Sequence, residues 1–371
     1  MCSERKKESM ENEEYRTLKP TRRSPLAVVS NAAMTFEREV VRCQVRLTHL
    51  KKRGRTCPYT ERLLARVQPI KESTVEMLAE LIEGHPAYWW FSHIKGIGRE
   101  NISKLCGEIE NFGRYYEIGD PRIPSEVQRE PEEYVYLDEE QNTVASIGIW
   151  VAGIERLTLP SKQRVFLGHA PGIKRKRGEK HSYSSRGKML LWRVGTSLIR
   201  VPDGSYANEY HAYKDYLTER ELAKGTKIIP TLKERYCPAC EKEVVKKAAR
   251  YCPDCHGPLS MKEEPPGVLY KGHLDLMARR RMQQLFSDHL NVVWRRSLGL
   301  SVRETPYAVE YKGHSAIIYP EDMMDKKCGV KGCPVCQKYG LKQGSHKTKV
   351  NHDYRASHGG RVNHTVRASH C

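Results

Sequence analysis

Between residues 36 and 50 the apolar side chains Phe36, Val40, Cys43, Leu47 and Leu50 recur at alternating steps of four and three. Arg38, Glu39, Arg42, Arg46 and Lys51 lie off that seam. This is the period of a helix with one packed face, in a coiled coil or a helical hairpin. Gly54 and Pro58 break the pattern. A second helical stretch is expected over residues 60–83, with Leu64, Val67, Val75, Leu78 and Ile82 inward and Pro69 kinking or splitting it. The aromatic run 85–91, HPAYWWF, is contiguous and abuts Ile94, which favours core packing over a base-stacking platform. Further on, Tyr206, Tyr210, Tyr213 and Leu217 fall at helical steps, an ordinary packing stripe. Residues 272–300 predict a helix with Leu274, Ala278, Met282, Leu285 and Val293 inward and Arg279, Arg280, Arg281, Arg295 and Arg296 outward.

Residues 94–109, IKGIGRENISKLCGEI, place an apolar residue, Gly96, another apolar residue and Gly98 ahead of a helical run carrying Ile102, Leu105 and Ile109. That is a helix-hairpin-helix signature. Gly96 and Gly98 would let the backbone turn at positive φ, and the amides at the second helix's N-terminus suit a phosphate oxygen. Arg99 and Lys104 on that helix are then phosphate contacts. A lone GxG is also compatible with a plain corner between two core helices. Downstream come an acidic stretch (Glu126, Glu130, Glu132, Glu133, Asp138, Glu139, Glu140), the apolar run 145–157, ASIGIWVAGIERL, and the helical run 189–200, MLLWRVGTSLIR. Residues 174–193 hold Lys174, Arg175, Lys176, Arg177, Lys180, Arg186, Lys188 and Arg193 against the single acid Glu179. Such a segment beside a DNA hairpin would track phosphates; by itself it is a solvated charge run.

The 371 residues carry a net charge of +19, which makes a polyanion, nucleic acid before membrane, the first partner to consider. The mean hydropathy is −0.67, and no apolar run approaches the ~20 residues of a membrane span. The first residues lack the apolar core of a signal peptide, so a cytoplasmic protein without membrane partners is expected.

Twelve cysteines in such a protein argue for metal before disulfides. Cys237, Cys240, Cys252 and Cys255 form two CPxC knuckles eleven residues apart, the donor set of a zinc ribbon. With four thiolates the zinc would be structural, leaving no position for a catalytic water. Cys328, Cys333 and Cys336 precede a tail in which NHDYRASH (351–358) recurs as NHTVRASH (363–370). Those three thiols with one His could form a second metal site, or the segment is a flexible basic tail.

The order of these motifs resembles the C-terminal domain of insertion-sequence transposases of family 110 (with 116 and 902): the GIG hairpin, a helix bearing the Ala152-Gly153 pair, a basic loop, then a helix of Leu190, Leu191 and Trp192. The likeness covers about a third of the chain, and the ribbon would be an insertion. It implies a mainly α fold: residues 1–30 disordered, a helical pair or coiled coil at 34–83, a helix-hairpin-helix DNA-binding domain at 85–217, a small β zinc ribbon at 231–260, a helical segment at 271–320 and a flexible basic Cys/His-rich tail at 321–371. It also implies DNA as partner, a structured guide RNA, a separate nuclease-domain protein, a homo-oligomer, and a serine nucleophile, for which Ser184 stands best beside Ser182, Ser185 and Ser161. The chain departs from the family where Ala170, Pro171 and Gly172 replace the Ser-Gly pair and where no acid cluster of a RuvC-like domain is found. Mg²⁺ chemistry would therefore need a separately supplied acid domain. Two readings stay open, a transposase-related DNA-binding protein and a non-catalytic zinc-ribbon accessory that binds DNA or structured RNA.

Overall fold

The computed structural model describes residues 24–137, 142–170, 182–230, 235–237, 239–240, 242–244, 250–261, 264, 267–303, 317–326 and 333–340. It is mainly helical, with small sheets and a cysteine cluster. Helix α1 (Pro25–Lys52) begins earlier than its seam suggests, because Ser24 caps it by accepting from the Ala27 amide at 3.1 Å and Pro25 occupies the first turn. Residues 25–30, expected to be disordered, are therefore ordered, and Leu26, Ala27 and Ser30 are buried. Helix α2 (Pro58–Leu81) packs against α1 and runs through Pro69 without being split.

A single turn at Ile82–Gly84 and the short helix α3 (Tyr88–Phe91) bring the chain into the turn that precedes helix α4 (Arg99–Glu110). Trp90 and Phe91 are buried, in keeping with core packing of the aromatic run. Helix α4 is walled in. Ile102, Ser103, Lys104, Leu105, Cys106, Gly107 and Ile109 are all buried, and α1 approaches so closely that a Cβ on Gly107 would stand 2.7 Å from the Ser30 Cβ.

The apolar run 145–157, expected as a helix, is mostly strand. β3 (Thr143–Val151) is the centre of an antiparallel sheet of order β1-β3-β2, with β1 (Arg114–Tyr116) and β2 (Glu132–Leu137). Its register runs from Leu137↔Thr143 to Glu132↔Gly148 on one side and from Tyr116↔Ile149 to Arg114↔Val151 on the other. Val144, Ile147, Ile149, Trp150 and Val151 are β-branched or aromatic and pack on a pleated surface better than on a helix. Only Gly153–Arg156, α5, is helical there. The Ala-Gly pair has a packing reason: a Cβ on Gly153 would lie 1.8 Å from the Ile109 carbonyl oxygen at the end of α4.

After α6 (Pro160–Phe166), α7 (Ser185–Ile199) and α8 (Ser205–Ala223), the chain enters β4 (Lys227–Ile229), which pairs in parallel with β8 (Val268–Tyr270). The cysteine ribbon is looped out between these paired strands. Helix α9 (Lys271–Ser297) then crosses the core, touching α5, α6, α7 and α8. Arg295, expected to face outward, is fully buried; it donates to the carbonyls of Ile154 at 2.9 Å and Ser301 at 3.0 Å and pairs with Glu126. The chain returns at Pro320–Met323, one helical turn, and at α10 (Pro334–Lys338). Met323, Met324, Asp325 and Cys336 are buried, so this part of the expected flexible tail belongs to the core. The repeat 351–370 lies outside the described residues.

Lys104 is 0% exposed and its ammonium meets Glu37 at 2.9 Å and Glu100 at 2.5 Å. Glu37 also accepts twice from Arg193, at 2.8 and 3.0 Å, so one carboxylate joins α1, α4 and α7. Burial alone would raise its pKa, but hydrogen bonds from Arg193 and Lys104 outweigh burial and hold it below the ordinary glutamate value. Removing the shared acid leaves buried Lys104 with Glu100 alone and takes the acid from Arg193, and Glu37→Leu is expected to cost about 3 kcal/mol. Lys104→Met should cost less, because Glu37 keeps Arg193. Urea denaturation of both variants checks the order. As Glu37 is depressed in the fold, its contribution is present above the ordinary glutamate range and is lost as pH falls through the folded value. The wild-type advantage over Glu37→Leu should therefore shrink in acid.

Candidate nucleic-acid interface and metal centre

Four glycine- and charge-bearing positions on α4 were expected to face phosphate, and they separate into two groups. Gly96 turns at φ +87, the left-handed region that glycine enters freely, and a Cβ there would meet Val201 Cγ2 at 2.9 Å and the backbone of Leu198 and Ser197 at 3.1 Å. Gly98, contrary to expectation, is extended at φ −87 and ψ 137. It forms the N-cap of α4, offers no side-chain cap, and has open space where a Cβ would stand. The first amides of α4 have no partner within the helix, and they open where Gly98 and Arg99 are exposed. Arg99 pairs with Glu83 at 2.6 Å and donates to the Tyr88 hydroxyl at 3.3 Å; an exposed pair of this kind is worth about 0–1 kcal/mol and exchanges readily for a phosphate. Lys104 does not belong with them. Buried between Glu37 and Glu100, it serves the core and is withdrawn as a phosphate contact.

Of the basic segment, Lys174, Arg175, Lys176, Arg177 and Lys180 lie outside the described residues. Arg186 is exposed and pairs with Asn31 and with Glu108 at 3.4 Å. Lys188 is exposed, its ammonium 4.9 Å from the centre of the Tyr183 ring. Arg193, by contrast, is committed to Glu37.

Ser184, the expected nucleophile, is the N-cap of α7. Its hydroxyl accepts from the Gly187 amide at 2.9 Å and donates to Glu108 Oε1 at 2.6 Å. Both bonds are those of a helix cap tied to the neighbouring helix. A hydroxyl with a carboxylate acceptor has a partner for its proton, but the same geometry is a complete capping arrangement, and Arg186 lies on the other oxygen of Glu108. The sequence signal for this cap is Ser184 three residues before Gly187, at the start of an apolar period.

The four ribbon cysteines come together. β5 (Arg235–Cys237) pairs with β6 (Lys242–Val244) and with β7 (Ser260–Met261), so the first knuckle sits on a hairpin turn. The second is closed by the Cys252 amide donating to the Gly257 carbonyl at 2.9 Å and the His256 amide donating to the Cys252 carbonyl at 3.0 Å. All four sulfurs lie within 4.8 Å of one another; Cys237 and Cys255 are 3.4 Å apart and Cys240 and Cys252 3.9 Å. Edges of a tetrahedron with metal–sulfur bonds near 2.3 Å are about 3.8 Å, so the group could hold one metal ion. The Cys240 amide holds the Cys237 thiol down at about 7, while hydrogen bonding with Cys255 pushes Cys240 up to about 12. Four sulfurs this close ionise together only around a cation.

In comparison with known proteins, no family model, no curated protein and no solved structure matches the chain. Among the described residues, no helix is long and apolar enough to cross a membrane.

The turn and the cap generate one set of expected outcomes. Ser184→Ala should lower stability by about 1 kcal/mol, the typical worth of a side-chain N-cap. Gly96→Val should cost more than Gly98→Val, since only Gly96 needs positive φ and only its Cβ is crowded. Thermal denaturation of the three variants ranks them.

Proposed function

We propose that this chain is a nucleic-acid-binding protein related to the family 110 transposases, gripping duplex phosphates through the turn at Gly96–Gly98 and the basic segments beside it. The observation that carries the reading is the uncapped, exposed N-terminus of α4 at Gly98, the one open end of a helix otherwise buried, in a chain of net charge +19. Amides at such an end favour an anion, and the open space beside Gly98, where a Cβ would meet nothing within 4 Å, admits a phosphate oxygen to the backbone. In this role the short helix α3, the turn and α4 act as a helix-hairpin-helix, positioning the duplex without reading bases. DNA is the partner the resemblance favours. A guide RNA, a nuclease-domain protein and a second copy of the chain belong to the same reading.

Strand transfer by this chain alone is not part of the proposal. Ser184 is engaged as a cap, and Mg²⁺ chemistry would come with an acid domain supplied separately. The ribbon holds zinc in a structural role, its four positions filled by cysteines.

With a fluorescent duplex of about 30 base pairs, affinity should fall steeply between low and physiological salt as counterions are released. Arg99→Ala should weaken binding and reduce the salt slope by roughly one unit, while Lys104→Met, once shown to be folded, leaves the slope unchanged. An affinity insensitive to salt, or a Lys104→Met slope that drops like Arg99→Ala, would overturn the reading.

The ribbon is tested separately. Since thiolates must form for the metal to bind, its zinc should be released as pH falls. Cys252→Ser is expected to lose that zinc while leaving the melting transition of the helical core in place. Zinc analysis paired with circular dichroism checks both.

A further inference from the structure

The CPxC motif occurs a third time, as Cys333-Pro334-Val335-Cys336, far from the ribbon. Cys333 is the N-cap of α10 and Cys336 lies one turn inside it, so both sulfurs leave the same end of the helix. The chain sets this end against His93, two residues past α3 and just before the Gly96 turn. The two sulfurs and a ring nitrogen of His93 lie within 4.8 Å of one another, with Cys333 Sγ 3.8 Å from His93 Nε2. For metal–sulfur and metal–nitrogen bonds of about 2.3 and 2.0 Å, a tetrahedral site needs an S···N edge of about 3.5 Å.

The imidazole is held as a ligand is held. His93 Nδ1 lies 2.6 Å from the Trp89 carbonyl oxygen, a group that can only accept, so the ring proton sits on Nδ1 and the Nε2 lone pair faces the sulfurs. A carbonyl on the far nitrogen is the usual outer partner of a metal-bound histidine. The backbone of His93 is fixed as well: its carbonyl accepts from the amides of Asp325 at 2.9 Å and Lys326 at 2.8 Å. His93 and Cys336 are buried at 3% and 5% exposure, and the Trp89 and Tyr339 rings stack 6.5 Å apart beside the cluster.

We propose that His93, Cys333 and Cys336 bind a second zinc ion, which staples the segment containing α10 to the base of the Gly96 turn. Soft thiolates with an imidazole select zinc among the common divalent ions. Three ligands come from the described residues; Cys328 lies outside them, and the proposal rests on the three. The site is independent of the ribbon and of nucleic-acid binding. It accounts for a buried cysteine, a half-buried one and a buried histidine that neither of those two functions uses.

Zinc content of the full chain, purified without chelator, tests the assignment. Wild type should hold two zinc ions, His93→Gln and Cys336→Ser one each, and a Cys252→Ser/Cys255→Ser variant one. Because a change at His93 or Cys336 could disturb packing, the ribbon variant supplies a second readout. Refilled with Co²⁺, it should still show thiolate-to-cobalt absorption in the near ultraviolet, from a site that the substitution never touched. A single zinc in wild type, an undiminished content in both His93→Gln and Cys336→Ser, or no thiolate-to-cobalt band in the ribbon variant would each overturn the proposal.

Discussion

Helix α4 has almost no free surface along its length, and the rest of the molecule is arranged around that confinement. A helix enclosed by α1, α2, α5 and α7 needs backbone to approach backbone, which is why small residues occupy Gly107 and Gly153, where any Cβ would collide. Confinement also leaves Lys104 without water. Its charge must be met inside, and Glu37 and Glu100 meet it, with Arg193 sharing Glu37. One half-buried carboxylate thus couples the position of α4 to those of α1 and α7, at a desolvation cost that good geometry offsets.

The end of α4 that does reach solvent inherits this rigidity. The turn before it is fixed from a second side by Asp325, whose carboxylate accepts from the Lys95 amide at 2.7 Å and the Ser205 amide at 2.5 Å. Trp90 donates its indole N–H to the Pro320 carbonyl at 2.7 Å. A segment more than two hundred residues downstream therefore sets the shape of the turn. A phosphate site made of backbone amides gains from such support, since amides already aimed at an anion lose little freedom when it binds.

What could be read from the sequence was what a local period encodes. The seam of α1, the inward face of α2, the spacing of Ile102, Leu105 and Ile109, and the paired knuckles all depend on neighbours a few residues apart, and each is found. Arg295 and Lys104 were misread for one reason: a period says which face a residue takes, but a cation on a packed face is tolerated only where a distant acid such as Glu126 or Glu37 arrives, and no local pattern reports that arrival. The strand β3 was missed because the helix expected there came from the resemblance and not from a local period. Within it Gly148 admits the Tyr116 carbonyl, which would lie 2.6 Å from a Cβ, a contact across the sheet that no local pattern reports. His93 was similarly invisible, because its partners Cys333 and Cys336 lie 240 and 243 positions away.

The charge balance shows how a global property survives these local misreadings. Lys104, Arg193, Arg295, Arg129 and Arg164 all engage acids within the fold: Glu37 and Glu100, Glu126, Glu155 and Asp288. Each pairing withdraws a positive and a negative charge together, so the excess of +19 is not consumed by the core. Among the described residues it includes Lys188 and Arg200, exposed on α7 and just beyond it. Counting charge across the chain is therefore insensitive to which individual cations the core withdraws. Under the proposed function, the field of such a surface would raise the local concentration of a polyanion before any contact forms, and the rigid, uncapped end of α4 would offer it amides already aligned.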